Sequence, residues 1–359
     1  MNHTGNSELS ALVKSAARRA GFELAGIAPA TDSPELQSFP EWIAAGHAGE
    51  MKYMESRDGH GSLKRASLSR VAPWANSVIV CAINYNTDHP YSTRAKDPNR
   101  GWISRYAWSR EDYHEAVLRR LQQVEAALHQ AVGGSEPHLM TRSYVDTGPI
   151  VERVFAKYAG VGWIGKNTCI INQKIGSWLF LGVILTSLEL RADMPAPDRC
   201  GTCARCIEAC PTDAILEPYK LDSNRCISYL TIEKRGSIPE ERRAGMGRHV
   251  FGCDICQDIC PWNRKAPSTT APEFSAREGL VNPALDWLAQ LSAEDFRNLF
   301  RGSPIRRAKR SGLRRNALIA IGNSRNREFL ALTESQVCDQ DENVAEAARW
   351  AATRLKESR

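Results

Sequence analysis

The chain has 359 residues, 42% of them apolar and 25% charged, with a net charge of +6. That length supports two or three globular domains with a real core. The opening Met-Asn-His-Thr-Gly-Asn-Ser lacks the charged-then-apolar pattern of an export signal, and the longest apolar stretch, residues 175–188, is too short to span a bilayer. A cytoplasmic protein with no membrane partner is expected.

In chain order, Ser7 is placed to cap a helix whose apolar side is Leu9, Leu12, Val13, Ala16 and Ala20, with Gly21 ending it. Residues 22–27 read as a short strand and residues 77–85 as a buried one. A long amphipathic helix is predicted over 111–132, closed by Gly133 and Gly134. A short strand over 143–145 puts Asp146 at its C-terminal end, and a helix over 150–159 stops at Gly160. Residues 168–172 and 177–186 read as a hairpin around Lys174-Ile175-Gly176. Strands alternating with helices predict an α/β (α+β) domain over 1–192. A Pro-containing linker leads into a cysteine-rich domain over 193–266. The remainder, 267–359, reads as all-helical over 284–291, 293–300, 314–321, 327–333 and 343–355, the last three resembling a HEAT-like helical repeat.

Eleven cysteines in a chain without an export signal point to metal rather than disulfides. Cys81, Cys169 and Cys338 stand apart and read as small buried hydrophobes. The first run is Cys200-x2-Cys203-x2-Cys206-x3-Cys210-Pro211, the ligand pattern of bacterial ferredoxins. The second, Cys253-x2-Cys256-x3-Cys260-Pro261, lacks one cysteine, which Cys226 can supply. Zinc also takes Cys-x2-Cys pairs, but it gives no reason for two x3-Cys-Pro endings. The eight therefore suit a ferredoxin-like domain with two [4Fe–4S] clusters. In ferredoxins the fourth cysteine of a run crosses to the other cluster. On that rule Cys200, Cys203, Cys206 and Cys260 hold one, and Cys253, Cys256, Cys226 and Cys210 the other. Such a pair relays electrons singly, and a plain ferredoxin needs no α/β domain of this size.

Residues 301–315 carry Arg301, Arg306, Arg307, Lys309, Arg310, Arg314 and Arg315 with no acid, a density that favours phosphate contact over a solvated face. On charge alone, Arg306, Arg307, Lys309, Arg310, Arg314 and Arg315 are the candidate nucleic-acid contacts.

Several further motifs together resemble the epoxyqueuosine reductase family over nearly the whole chain. They are Ser104-Arg105-Tyr106-Ala107-Trp108 with Asp112-Tyr113-His114, Val145-Asp146-Thr147-Gly148-Pro149 with Glu152-Arg153, and Ala159-Gly160-Val161-Gly162-Trp163 with Gly165-Lys166-Asn167. Arg225-Cys226-Ile227-Ser228-Tyr229-Leu230-Thr231 and Pro261-Trp262-Asn263 complete the set, and Phe251-Gly252-Cys253 stands where the family has Tyr-Gly-Cys. The resemblance implies a monomeric enzyme that reduces epoxyqueuosine to queuosine at the wobble position of tRNA. Cobalamin (vitamin B12) is the implied cofactor, and an external donor, flavodoxin- or ferredoxin-like or a chemical reductant, supplies electrons. The chain has no Asp-x-His-x-x-Gly motif: Leu63 stands where its glycine would be. The family does without the histidine that motif gives to cobalt, so the resemblance stands.

The resemblance further implies that Asp146 donates a proton to the epoxide oxygen, a role needing a carboxyl kept neutral by desolvation. It implies cofactor contacts from Arg65, Ser104, Asp146, Ile170, Leu181, Ser228 and Cys253, and a cofactor or tRNA contact, or plain solvation, for Lys166. Two rival readings are a corrinoid and iron–sulfur reductive dehalogenase and a non-catalytic electron-transfer module. The missing export signal and the basic C-terminal stretch weigh against the first.

Overall fold

The computed structural model of the chain describes residues 3–358. It divides into two compact units that interleave along the chain, where the sequence reading divides it into three consecutive stretches. The first unit holds the residues up to Asn86, then Tyr113–Cys203 and Pro261–Glu273; the second holds Thr87–Asp112, Ala204–Cys260 and the residues from Phe274 onward. Among the described residues no helix is long and apolar enough to cross a membrane.

The first unit is built on a four-stranded sheet in the order Leu24–Pro29, Ser77–Asn84, Leu179–Thr186, Thr141–Tyr144. Every pairing in it is antiparallel, so the architecture is α+β rather than a parallel α/β sheet. All eight residues of Ser77–Asn84 are buried because both faces of the sheet are covered. On one side Val78, Val80, Ala82, Val183 and Leu185 share a core with Val154, Phe155 and Ala156 of the helix Glu152–Tyr158. On the other, the long helix Tyr113–Val132 lies so close that a Cβ at Gly182 would come within 2.8 Å of Leu121 and 2.9 Å of Val117. Leu121 and Val117 belong to the buried stripe Ala116, Val117, Leu121, Val124, Leu128, whose helical spacing made this element legible.

The first helix spans His3–Arg19, so Ser7 lies inside it rather than at its cap. The expected hairpin forms only as a single bridge, Asn172 to Gly176. Its two arms go elsewhere: Ile170–Ile171 pairs with Trp163–Ile164, and Leu179–Thr186 enters the main sheet. The distant segment Pro261–Glu273 joins this unit through polar ties. Asn263 Oδ1 accepts Ser177 N at 2.7 Å, and Asn84 Nδ2 donates to the Pro267 carbonyl at 2.8 Å.

The second unit is mainly helical. Its longest elements, Lys309–Ser324 and Glu342–Lys356, pack so closely that a Cβ at Gly322 would come within 2.6 Å of the Trp350 ring. A parallel pair, His249–Phe251 with Trp102–Ile103, leads into Cys253. Three consecutive polar residues fasten the long helix to the chain around it. Arg315 donates to the carbonyls of Leu230, Lys234 and Gly236; Asn316 Nδ2 reaches those of Thr231 and Val250 at 2.9 Å each; Arg314 donates to Ala289 O and Asp339.

Candidate active site and cluster segments

Asp146 lies just past Thr141–Tyr144, at the left-handed φ of +55°. Asp is among the few side chains that tolerate this region. The loop is held from two directions. Arg65, 9% exposed, donates Nη1 to the Tyr53 carbonyl at 2.6 Å and Nη2 to the Gly148 carbonyl at 3.0 Å. The Tyr113 hydroxyl donates to Asp146 Oδ2 at 2.8 Å, and His114 Nε2 lies 4.0 Å from the same oxygen. Tyr113 is itself clamped, its ring stacked at 4.4 Å on Phe180 and at 4.0 Å on His114.

The desolvation expected at Asp146 is not found: its side chain is 70% exposed. The buried carboxyl of this neighbourhood is Glu152, which the sequence reading passed over as part of a motif. Its Oε1 is shut off from solvent without a hydrogen bond. Burial first, and the Asp146 charge second, push Glu152 up to about 7. No sequence signal separates such a glutamate from an ordinary first-turn one, since helix N-termini favour acids anyway.

The cysteine segments are short turns. Cys203 N bonds the Cys200 carbonyl at 3.0 Å, and Lys166 Nζ donates to the intervening Gly201 carbonyl at 2.6 Å, so Lys166 steadies this loop. Cys210 Sγ accepts Ala214 N at 3.3 Å, the kind of N–H···S bond that tunes cluster potential. Cys253 is half-buried; desolvation first, then the nearby Cys226 thiol, the Asp254 charge and the Cys210 thiol, raise its pKa well above the ordinary thiol range. Cys226 and Cys210, assigned with Cys253 to one cluster, are both near enough for their charge to act on it. Among the described residues no set of three or more His, Cys, Asp or Glu could hold a single metal ion. A cubane instead spreads its thiolates over separate irons. Cys81 is buried as expected, Cys169 is half-buried and Cys338 is exposed.

The Ser104–Trp108 motif acquires a structural role. Asp254, 1% exposed and next to Cys253, accepts Trp102 Nε1 at 2.9 Å, Arg105 N at 2.8 Å and the Ser104 hydroxyl. Arg105, 2% exposed, donates to the Thr87, His89 and Pro90 carbonyls. Gly252, at φ +69°, lies where a Cβ would strike Ser104. Thr231 Oγ1 accepts Gly252 N at 2.9 Å and donates to the Ile227 carbonyl at 2.7 Å, with the Ser228 carbonyl at 3.2 Å. Ser104, Ser228 and Cys253 are thus gathered within the second unit. Within the first, Ile170 is buried and half-buried Leu181 packs on the same apolar cluster, which Val151 and Phe155 extend toward the Asp146 loop. Within this first unit, the apolar Ile170 and Leu181 and the Arg65 guanidinium fixed on two carbonyls suit a flat ring rimmed by amides, as a corrinoid is.

The basic stretch is corrected. Arg314 and Arg315, 6% and 3% exposed, are interior residues whose guanidiniums are used on carbonyls, Asn316 and Asp339, so they are not phosphate contacts. Arg310 Nε bonds the Leu291 carbonyl at 2.8 Å, and Arg307 pairs with Glu233 at 2.9 Å. Arg306 and Lys309 are exposed.

Fold and site together define an iron–sulfur protein of the double-cluster class. Residues 199–263, which include all eight cysteines, match the family model described as "4Fe-4S double cluster binding domain". Residues 65–147 match "Epoxyqueuosine reductase QueG, DUF1730". Among curated relatives, the epoxyqueuosine reductase of Synechocystis sp. is 44% identical over 81% of this chain and 98% of that protein. That of Xanthomonas campestris is 39% identical over 96% of each. A solved epoxyqueuosine reductase with an epoxyqueuosine-modified tRNA-Tyr stem loop superposes with a TM-score of 0.84 at 28% identity, over 97% of this chain and 90% of that one. The Bacillus subtilis enzyme, solved with its catalytic aspartate loop swung out of the active site, gives the same TM-score and identity. The chain belongs to the epoxyqueuosine reductase family, a family of oxidoreductases.

Proposed function

We propose that this chain reduces epoxyqueuosine to queuosine in tRNA, with electrons relayed through two [4Fe–4S] clusters and cobalamin as cofactor. The observation that carries the reading is the Asp146 loop: an acid at a left-handed turn, pinned by Arg65 and by the Tyr113 hydroxyl, in a chain whose relatives carry this activity by name. An epoxide that opens builds alkoxide charge, and a positioned acid quenches it. Asp146 is that acid in this reading. Tyr113 fixes which oxygen of Asp146 stays free, and Arg65 fixes where the loop stands.

Bound cobalamin would supply the low-potential reductant at the substrate. The residues that would hold it, by the family resemblance, are Arg65, Ser104, Asp146, Ile170, Leu181, Ser228 and Cys253. Asp254 supports this by fixing Ser104 against the Cys253 segment. For tRNA the exposed Arg306 and Lys309 remain, with Arg307 and Arg310 able to contact phosphate only by sharing their present partners.

The test is an anaerobic assay on tRNA carrying epoxyqueuosine, with and without cobalamin, for wild type and Asp146→Ala. Product from the wild-type holoenzyme and a loss of 100-fold or more, on the order expected for a general acid, in the variant are expected. No product from the wild type overturns the function; full activity in Asp146→Ala overturns only the proton-donor role.

A further inference from the structure

Two carboxyls of the second unit are buried among the cysteines of the second run. Asp254 follows Cys253 directly, which sets their Cα atoms about 3.8 Å apart. It is 1% exposed, and donors reach both of its oxygens: Oδ2 accepts Trp102 Nε1 at 2.9 Å and Arg105 N at 2.8 Å, and Oδ1 accepts the Ser104 hydroxyl. This pattern suits an ionised carboxyl, which accepts and does not donate. The same serine holds the other side of Cys253. Ser104 N donates to the Phe251 carbonyl at 2.7 Å, and a Cβ on Gly252 would lie 2.4 Å from Ser104 Cβ. The carboxylate is thereby fixed relative to the Cys253 turn. Asp258, the other carboxyl, takes the Ser92 hydroxyl at 2.5 Å and Thr93 N at 3.2 Å. The buried cation of this region, Arg105, directs its guanidinium to the Thr87, His89 and Pro90 carbonyls. At the first run the charges are of both signs and partly in solvent. Exposed Asp198 accepts Cys200 N at 2.7 Å, and Lys166 Nζ donates to the Gly201 carbonyl at 2.6 Å. Those charges offset each other, and water screens them.

We propose that Asp254 is a fixed charge that lowers the reduction potential of the cluster ligated by Cys253 and makes it the stronger reductant of the two. The proposal deepens the two-cluster reading above and rests on it. One electron from the external donor reduces each cluster, with no bond made or broken. That electron adds negative charge to a thiolate-bound centre, so a buried carboxylate beside it opposes the step. The same charge favours release of the electron, which serves a reaction that needs a low-potential reductant. Two such deliveries complete a two-electron reduction. Asp254 touches no substrate in this role; it acts through the cluster.

Asp254→Asn removes the charge and keeps the contacts. The amide oxygen takes the place of Oδ2 under Trp102 and Arg105, and the amide nitrogen donates to the Ser104 oxygen, whose hydroxyl turns away. Potentiometric titration of anaerobically purified, iron-loaded protein without substrate, followed by electron paramagnetic resonance, reads both clusters. Wild type should give two one-electron waves. In Asp254→Asn the lower wave should rise, changing the reduced-to-oxidised ratio of that cluster by about tenfold at a given potential, which is about 59 mV for one electron. The upper wave should stay. Any other pattern, with both waves unmoved, both moved together or the upper one moved alone, overturns the proposal. Ser104→Ala keeps the charge and takes one donor from it, so there the lower wave should fall. A wave unmoved or raised in Ser104→Ala overturns the role of the charge, and this variant decides alone if Asp254→Asn binds less iron than wild type. Wild-type iron and sulfide for fewer than two clusters would sink the two-cluster reading and this proposal with it. A wild-type holoenzyme inactive on epoxyqueuosine in tRNA would sink the proposed function only, and the potentials then decide the role of Asp254.

Discussion

At the scale of single residues, a carboxyl with one oxygen shut away from water and donors makes folding depend on pH. Glu152 has a folded-state pKa raised from 4.5 to about 7. Between those values the folded state binds more protons than the unfolded chain, so stability falls as pH climbs through that window and levels off above it. The group alone accounts for about 3 kcal/mol of that fall. Glu152→Gln should therefore gain on wild type as pH rises, which denaturant midpoints at pH 5 and pH 8 measure. Parallel curves for the two proteins would contradict the burial argument. The same logic explains why Arg65 is more than a surface charge: its two carbonyl contacts tie two separate segments to one guanidinium, and that bond fixes the Asp146 turn.

At the scale of elements, the helix Lys309–Ser324 combines two uses of basic side chains. Arg315 fills the bonding needs of carbonyls in 230–236, so Arg315→Ala should cost about 3 kcal/mol, because it strands buried acceptors. Thermal or denaturant unfolding reads this. Arg306→Ala and Lys309→Ala, at exposed positions, should change stability by less than about 0.5 kcal/mol. Under the proposed function each should instead lower the slope of log affinity for tRNA against log salt by about 1. Unchanged slopes in both variants would remove this helix start from the tRNA surface. Charge density along the sequence could not make the distinction, because all these residues fall in one acid-free run. Only the fold shows that Arg314 and Arg315 point into the protein.

At the scale of the whole molecule, each unit takes its chain from separated stretches, and each borrowed stretch is held by named polar bonds. Asn263 and Asn84 bring Pro261–Glu273 to the sheet unit. Arg105 and Asp254 stitch Thr87–Asp112 to the Cys253 segment. The cluster segment runs through both units in sequence, with Cys200 and Cys203 in the first and the other six ligand candidates in the second. Because Cys226 supplies the ligand that the Cys253 run lacks, Cys226→Ser should empty one cluster and leave the other. Iron and sulfide analysis of anaerobically purified protein should then give about half the wild-type content. Full content would reassign Cys226; complete loss would mean that the two clusters assemble only together.

The sequence by itself determined what spacing and composition encode. It carried the eight cysteines and their Cys-Pro endings, the buried strand at Ser77–Asn84, the stripe of the helix Tyr113–Val132, and the motifs that placed the chain in its family. These are local properties, set by a thiolate loop, a pleat or a helical turn. Tertiary structure decided what depends on partners far away in the chain. It set the antiparallel order of the sheet, the separation of Ile170–Ile171 from Leu179–Thr186, the burial of Arg314 and Arg315, and the exposure of Asp146 beside a buried Glu152. A carboxyl or guanidinium has the same local signature wherever it lies. Its charge state and use are fixed by the water it loses and the groups it meets, and only the folded chain sets those.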